Sequence, residues 1–184
     1  MHHNKRHGHG GLTAGVTLGL LAGLAIPHAR KAIMQGPSVA AGDWVAALTA
    51  EHRMVQALFE KVLKTSDEQT AQRDLLLFKI AHALTKHGVE EENVIYPAMS
   101  GRREADKDHL ARDHAEIKTY LFELKKTPSN DPGWRAVMAE FRNYVDDHIR
   151  EEEEEVFPAF RDSLSREENE RLFTMLNWEG FKVA

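Results

Sequence analysis

Two stretches of the chain share one pattern. Residues 87–97 read HGVEEENVIYP, and residues 148–158 read HIREEEEEVFP. In both stretches a histidine is followed four residues later by a glutamate, and ten residues later by a proline that comes directly after an aromatic residue. The second copy begins 61 residues after the first. An internal repeat of this kind indicates a chain built from two similar halves.

A second pair of matching stretches lies upstream of the first. Residues 48–52 read LTAEH, and residues 110–114 read LARDH, 62 residues further along. Each half therefore carries one histidine on an early segment, then the His-x-x-x-Glu segment, then the aromatic residue and proline. This duplication is the most specific signal in the sequence.

Apolar residues from Asp43 onward recur at spacings of three, four and seven, which is typical of amphipathic helices. No sustained alternation of apolar and polar residues occurs, so no strand is predicted. The first predicted helix starts at Asp43. The second is capped by Ser66 with Gln69 and reaches Tyr96, where Pro97 ends it. The third and fourth cover 102–126 and 134–157, and a shorter fifth is capped by Ser165 with Glu168. Four long helices with short connections predict an all-α, antiparallel up-down four-helix bundle with a short extra C-terminal helix.

The repeated histidines and glutamates fall on the apolar faces of these helices. His52, for example, follows Leu48 by four residues and precedes Val55 by three. Positions i and i+4 share a helix face, so each His-x-x-x-Glu pair points the same way. The residues expected to converge in the core are His52, His87, Glu91, His114, His148 and Glu152.

Buried carboxylates are costly unless they are paired or bind a metal ion. Four imidazoles and two carboxylates from four helices favour a metal centre, and six ligands suit two ions that share bridging carboxylates better than one saturated ion. Imidazole and carboxylate ligands suit non-haem iron, while manganese, zinc or cobalt are chemically allowed. Glu92 and Glu153 are alternative ligands, since a one-residue slip could bring either of them to the metals.

Several other kinds of site are excluded. The chain has no cysteine, so it forms no disulfide, thiolate metal site or thiol nucleophile. No histidine has a glutamate three residues before it, as a ferritin-like site would need, and neither His-Glu-x-x-His nor Gly-x-Ser-x-Gly occurs. The formal net charge of −5 argues against a generally basic nucleic-acid binder.

The first 42 residues differ from the rest, which predicts a boundary between an N-terminal segment, 1–42, and a domain, 43–184. Residues 1–42 contain four basic residues and no acid, and the run 12–26 carries no charge. Four glycines spaced by four residues form one stripe on a helix, typical of close helix packing in lipid. They are Gly11, Gly15, Gly19 and Gly23. We expect this glycine-zipper helix to anchor the protein to a membrane or to mediate self-association. A secretory signal peptide and a disordered or peripheral tail are the alternatives, so membrane-associated or cytoplasmic placement is favoured over export.

The pattern His, His-x-x-x-Glu, His, His-x-x-x-Glu, with Tyr96-Pro97 and Phe157-Pro158, resembles the hemerythrin or HHE cation-binding family over about residues 44–160. The resemblance implies an up-down four-helix bundle around an oxo- or hydroxo-bridged di-iron centre. Carried over position by position, it makes the two glutamates bridging ligands and the four histidines terminal ones. The implied ligands are His52, His87, Glu91, His114, His148 and Glu152.

The chain also departs from the oxygen-carrying hemerythrins that it resembles. Those proteins have a fifth histidine from a His-x-x-x-His on the third helix, whereas Leu110 and Lys118 stand four residues either side of His114 here. Their fourth helix places its carboxylate five residues after the histidine, at Glu153 in this sequence. The resemblance is therefore to the broader HHE group and implies binding of O2, or of a related ligand, for sensing, storage or delivery. A di-iron enzyme that consumes peroxide or nitric oxide, or an iron storage or donation protein, is the alternative.

Overall fold

The computed structural model describes residues 38–184 of the chain. The predicted glycine-zipper helix, with its expected roles in anchoring or self-association, lies outside these residues. Within 38–184 the regular structure is helical and no strand occurs. None of the helices in this part of the chain is long and apolar enough to cross a lipid bilayer.

The helices are numbered in chain order, with the two π-helical turns numbered separately. They are α1 (Trp44–Leu63), α2 (Thr70–Glu90), π1 (Glu91–Ile95), α3 (Tyr96–Met99), α4 (Glu104–Lys126), α5 (Trp134–Glu151), π2 (Glu152–Val156), α6 (Phe157–Asp162) and α7 (Arg166–Val183).

The four long helices α1, α2, α4 and α5 form the predicted four-helix bundle. Helix α1 packs on α2 and α4 packs on α5, and the contacts of α1 with α5 and of α2 with α4 close the bundle. Short connections between successive helices make these neighbours antiparallel. Helix α7 packs outside the bundle against α1, α2 and π1. It is the predicted extra C-terminal helix and has 18 residues, whereas α1, α2 and α4 have 20, 21 and 23.

Helix starts follow their capping residues. The Asp43 side chain accepts a hydrogen bond of 2.9 Å from the Ala46 N–H and caps α1. Both reciprocal bonds of the predicted capping box link Ser165 and Glu168 at the start of α7. Helix α2 begins at Thr70, later than the predicted cap at Ser66. The Ser66 N–H donates to the Gln69 side chain, and a turn at 67–68 precedes the helix.

The prediction that the second and fourth helices end at the aromatic–proline pairs was wrong. Both continue past the proline, through α3 and α6, after a single π-helical turn. A proline has no N–H to donate, and its ring collides with the carbonyl four residues back. The π turns accommodate this, because the N–H of Tyr96 donates to the Glu91 carbonyl and that of Phe157 to the Glu152 carbonyl, five residues back.

Two apolar clusters fill the bundle, one towards each end. One contains Val55, Phe59 and Phe141 among others, and the other contains Leu48 and Leu176. His52 lies between Leu48 and Val55 on α1, so the histidines form a polar layer between the two clusters. Apolar walls above and below this layer keep it out of water.

Candidate metal centre

The polar layer brings together all six residues that the sequence predicts as metal ligands. They come from α1, α2, α4 and α5 and from the first positions of π1 and π2. None is more than 4% exposed, and the two glutamates are fully buried. The residues are His52, His87, Glu91, His114, His148 and Glu152.

One group of four residues surrounds a first position in this layer. The Nε2 atoms of His52 and His87 lie 3.0 Å apart. A Glu91 oxygen lies 3.2 Å from His87 Nε2, and a Glu152 oxygen lies 3.3 Å from His52 Nε2. Each of the four residues offers one ligand atom within 4.8 Å of the others, so together they could hold one metal ion.

A second group of four surrounds a second position and shares both glutamates with the first. Here Glu91 lies 3.1 Å from His114 Nε2, and Glu152 lies 3.3 Å from His148 Nε2. These four ligand atoms also lie within 4.8 Å of one another. Two carboxylates that each face histidines of both groups have the arrangement of bridging ligands.

The nitrogen and oxygen atoms at the centre of the layer lack well-formed hydrogen bonds, which favours a bound metal ion. No described residue gives the four carboxylate oxygens of Glu91 and Glu152, or the Nε2 atom of His148, a hydrogen bond of good geometry. Buried polar atoms nearly always have a partner, and a group of orphaned ones indicates a missing ion or ligand. Nitrogen and oxygen donors of this kind suit first-row transition metals.

The electrostatics of the layer lead to the same conclusion. Burial raises the pKa of Glu152 well above its ordinary value, and the charge of Glu91 raises it further. Burial also acts to raise the pKa of Glu91, but the neighbouring His87 and His114 outweigh it and hold that pKa well below the ordinary value. Burial lowers the pKa of His52 to about 4, which keeps this ring neutral. Two ionised carboxylates repel each other in a buried layer, so without a cation they do not both ionise. Bound cations would let both ionise.

Each histidine of the layer turns its other ring nitrogen, Nδ1, to a carboxylate outside the layer. His52 Nδ1 lies 2.8 Å from Glu153, and His114 Nδ1 lies 3.0 Å from Glu92. The two residues considered as alternative ligands are thus placed on the outer nitrogens of histidines, not beside Nε2. Such carboxylates fix the ring orientation and tautomer of a metal-binding histidine.

The other two histidines have carboxylate partners that the sequence reasoning missed. His87 Nδ1 lies 3.3 Å from Glu51, and His148 Nδ1 lies 3.3 Å from Asp113. The signal for both was present in the repeat, because an acid precedes the first histidine of each half. Each Nδ1 contact in the first half thus has a matching contact in the second half, at the same spacing as the sequence repeat.

Comparison with known proteins agrees with this arrangement. The family model for the hemerythrin HHE cation binding domain matches residues 44–160. The chain belongs to the hemerythrin HHE family. Its fold resembles the crystal structure of an HHE cation binding domain-containing protein from Mycobacterium kansasii, with a TM-score of 0.69 and 21% identity, over 77% of this chain and 86% of that one.

Two curated proteins are also similar to the chain in sequence. An uncharacterised hemerythrin-like protein of Schizosaccharomyces pombe is 28% identical over 129 residues, and a protein of a Nostoc species named DNA nickase is 31% identical over 125 residues. Each alignment covers 67% of this chain. The chain spans 62% of the yeast relative and 35% of the Nostoc relative.

The aromatic residues of the two repeats make the two halves of this HHE domain unequal. The Tyr96 hydroxyl lies 3.1 Å from His114 Nε2, on the side of the second position. Its counterpart Phe157 offers no hydroxyl and stacks on the His52 ring, with 6.3 Å between ring centroids. Of these two aromatic residues, Tyr96 therefore places a hydroxyl beside the second position, whereas Phe157 places none beside the first.

A cavity of about 120 Å³ adjoins the histidine layer of the HHE domain. All four histidines reach its wall, and the remaining lining is mostly apolar, including Ile117, Leu121 and Val145. Gly88 on α2 lines it where α2 faces α4, close to the His114 ring. The cavity provides space for a small molecule next to the candidate metal positions.

Proposed function

We propose that the six buried residues hold two iron ions and that the pair binds O2 or a related small ligand. The observation that carries the proposal is the sharing of Glu91 and Glu152 between two buried groups of four ligands. The HHE family binds metal cations, and the choice of iron rests on the mixed imidazole and carboxylate ligand set. Iron would supply the electrons that O2 needs in order to bind.

The protein's own residues would tune and protect such a pair. Outer carboxylates such as Glu51 and Asp113 hold the rings with Nε2 directed inward. Six protein ligands shared by two ions leave coordination positions open, and the apolar wall of the cavity limits water and proton entry. Leu110, which is fully buried at a place where oxygen carriers have a histidine, adds no ligand.

The cavity supports a small ligand over a large one. A volume of about 120 Å³ with an apolar lining fits a diatomic molecule or peroxide. Such a ligand would serve sensing, storage or delivery. Nitric oxide is also diatomic and also binds ferrous iron, so it fits the same space. The test is the optical spectrum of the purified, reduced protein under argon, under air and again under vacuum. A band that appears with air and disappears under vacuum supports reversible binding. A spectrum that never responds to air contradicts it.

A second function, peroxide consumption, is favoured by Tyr96. Its hydroxyl lies beside the second position, where a hydrogen-bond donor would stabilise the charge that develops as an O–O bond breaks. Rapid oxygen evolution from added peroxide, in proportion to iron content, would support an enzyme. Iron storage or donation is the third candidate, and fast loss of iron to a mild chelator would favour it.

Association with membranes or with a second copy through residues 1–42 stays a prediction. It is tested by membrane pelleting and by the oligomeric state, before and after deletion of residues 1–36.

A further inference from the structure

Each half of the molecule carries a second carboxylate pair outside the histidine layer. In the first half the pair is Glu51 on α1 and Glu90 on α2, both buried. The Lys86 ammonium is buried between them, 2.7 Å from Glu90 and in contact with Glu51. A protein cation thus lies between the two carboxylates of the first pair.

The internal repeat places a matching pair in the second half. Asp113 follows Glu51 by 62 residues, and Glu151 follows Glu90 by 61 residues. The residue that matches Lys86 is Asp147, which is exposed and forms an ion pair of 2.8 Å with Arg150. The second pair therefore has no ammonium at this position, and a further acid stands there instead.

A histidine stands beside the second pair instead. His109 Nε2 lies 3.0 Å from a Glu151 oxygen and 3.8 Å from an Asp113 oxygen. The matching position in the first half is Ala47, which has no ligand atom. One atom from each of His109, Asp113 and Glu151 lies within 4.8 Å of the others, and all three side chains are partly exposed.

We propose that His109, Asp113 and Glu151 bind a divalent transition-metal cation from solution, at the place equivalent to that of the Lys86 ammonium. One imidazole and two carboxylates form a ligand set that zinc, iron and manganese accept. The site opens into a surface groove lined also by Asp147 and Glu155, so a hydrated ion can approach it. The outer site is distinct from the buried centre, which uses neither His109 nor Glu151.

Asp113 connects the outer site to the buried centre. The Asp113 oxygen nearest His109 also lies 3.3 Å from His148 Nδ1, and the other oxygen accepts a hydrogen bond from the Tyr144 hydroxyl. An ion in the outer site would therefore be one residue away from a ligand of the buried centre. Asp113 itself is unsuitable for testing the outer site, because its loss would also release His148.

The experiment titrates the purified full chain, with the metal it carries, with Zn²⁺ in a calorimeter. We expect the unmodified protein to bind one more Zn²⁺ per chain than His109→Ala, and Glu151→Gln to bind that ion at least tenfold more weakly. Glu154→Gln is the matched control, because it removes the same charge as Glu151→Gln. Glu154 is exposed on π2 and lies outside the groove lining. Its binding should stay within twofold of the unmodified protein.

Metal analysis of the same samples separates this site from the buried one. The iron content should be equal in all four proteins, whether or not the buried centre holds two ions. Titration curves of His109→Ala that superimpose on those of the unmodified protein would overturn the proposal and leave His109 as a hydrogen-bonded surface histidine. Equal weakening in Glu154→Gln, or loss of iron together with the Zn²⁺ site, would overturn it too.

Discussion

The Nε2 atom of His52 lies 3.0 Å from the Nε2 atom of His87, although the two rings come from different helices. Both rings are buried, and neither nitrogen faces solvent. The two histidines therefore belong to the first candidate metal position, whereas His114 and His148 belong to the second. This division makes the two candidate metal positions separable by mutation.

Replacing His52 should remove the metal ion from the first position and leave the ion at the second position in place. We expect His52→Ala to lower the metal content from two ions per chain to about one, because the second group of four ligands remains intact. Metal analysis by mass spectrometry measures the change. His82→Ala is the control, since His82 lies outside both groups, and it should retain two ions. Retention of two ions in His52→Ala would disagree with the assignment.

The outer carboxylates should matter for metal affinity without being ligands. Asp113→Ala removes the partner of His148 Nδ1, and losses of this kind typically weaken metal binding about 10–100-fold. Competition with a chromophoric chelator measures the affinity. Asp147→Asn, on the exposed face of the same helix as His148, should leave it unchanged. An unaltered affinity in Asp113→Ala would show that the ring needs no such support.

Gly88 offers a test of the cavity that does not depend on loss of folding. A β-carbon at this position would meet His114 at 3.6 Å, an ordinary contact, so Gly88→Ala should fit. The free energy of unfolding should rise by about 0.5–1 kcal/mol because alanine favours the helix. The added methyl group narrows the cavity, so the association rate of O2 or nitric oxide should fall several-fold in stopped-flow measurements. A rate that is unchanged would place the entry route elsewhere.

The buried Lys86 should be essential for stability in the first half. Lys86→Met leaves the buried carboxylates of Glu51 and Glu90 without their cation, and breaking such a pair costs about 3–5 kcal/mol. Urea denaturation followed by circular dichroism measures the loss. The matching variant of the second half, Asp147→Asn, changes an exposed residue and should alter stability by less than about 0.5 kcal/mol. Similar losses in both variants would contradict the interpretation of the Lys86 cluster.

Tyr96 distinguishes the enzyme from the binding protein. Tyr96→Phe keeps the ring and removes the hydroxyl beside His114, so the metal content should stay at that of the unmodified protein. If the centre consumes peroxide with Tyr96 as hydrogen-bond donor, turnover should fall about 10²-fold or more. Oxygen evolution in a Clark electrode follows the reaction. Unchanged turnover would remove the observation that favours the enzyme.

The sequence predicted the parts of the site that repeat. His87 and Glu91 share a helix face by their spacing alone, and the duplication extended the argument to His148 and Glu152. The π turns could not be foreseen, because a proline usually ends a helix and nothing local indicates that tertiary packing will carry the chain past Pro97. The burial of Lys86 was equally hidden, because its ammonium contacts Glu51 on a different helix, 35 residues away in the sequence.

The most direct test of the account is the number of metal ions per chain in the purified protein and in the double variant Glu91→Ala/Glu152→Ala. Both glutamates face both positions, so we expect two ions in the unmodified protein and none in the double variant, although a single histidine replacement keeps about one. A folded, unmodified protein that holds no ion, or a double variant that still holds two, would contradict a centre built on two shared carboxylates.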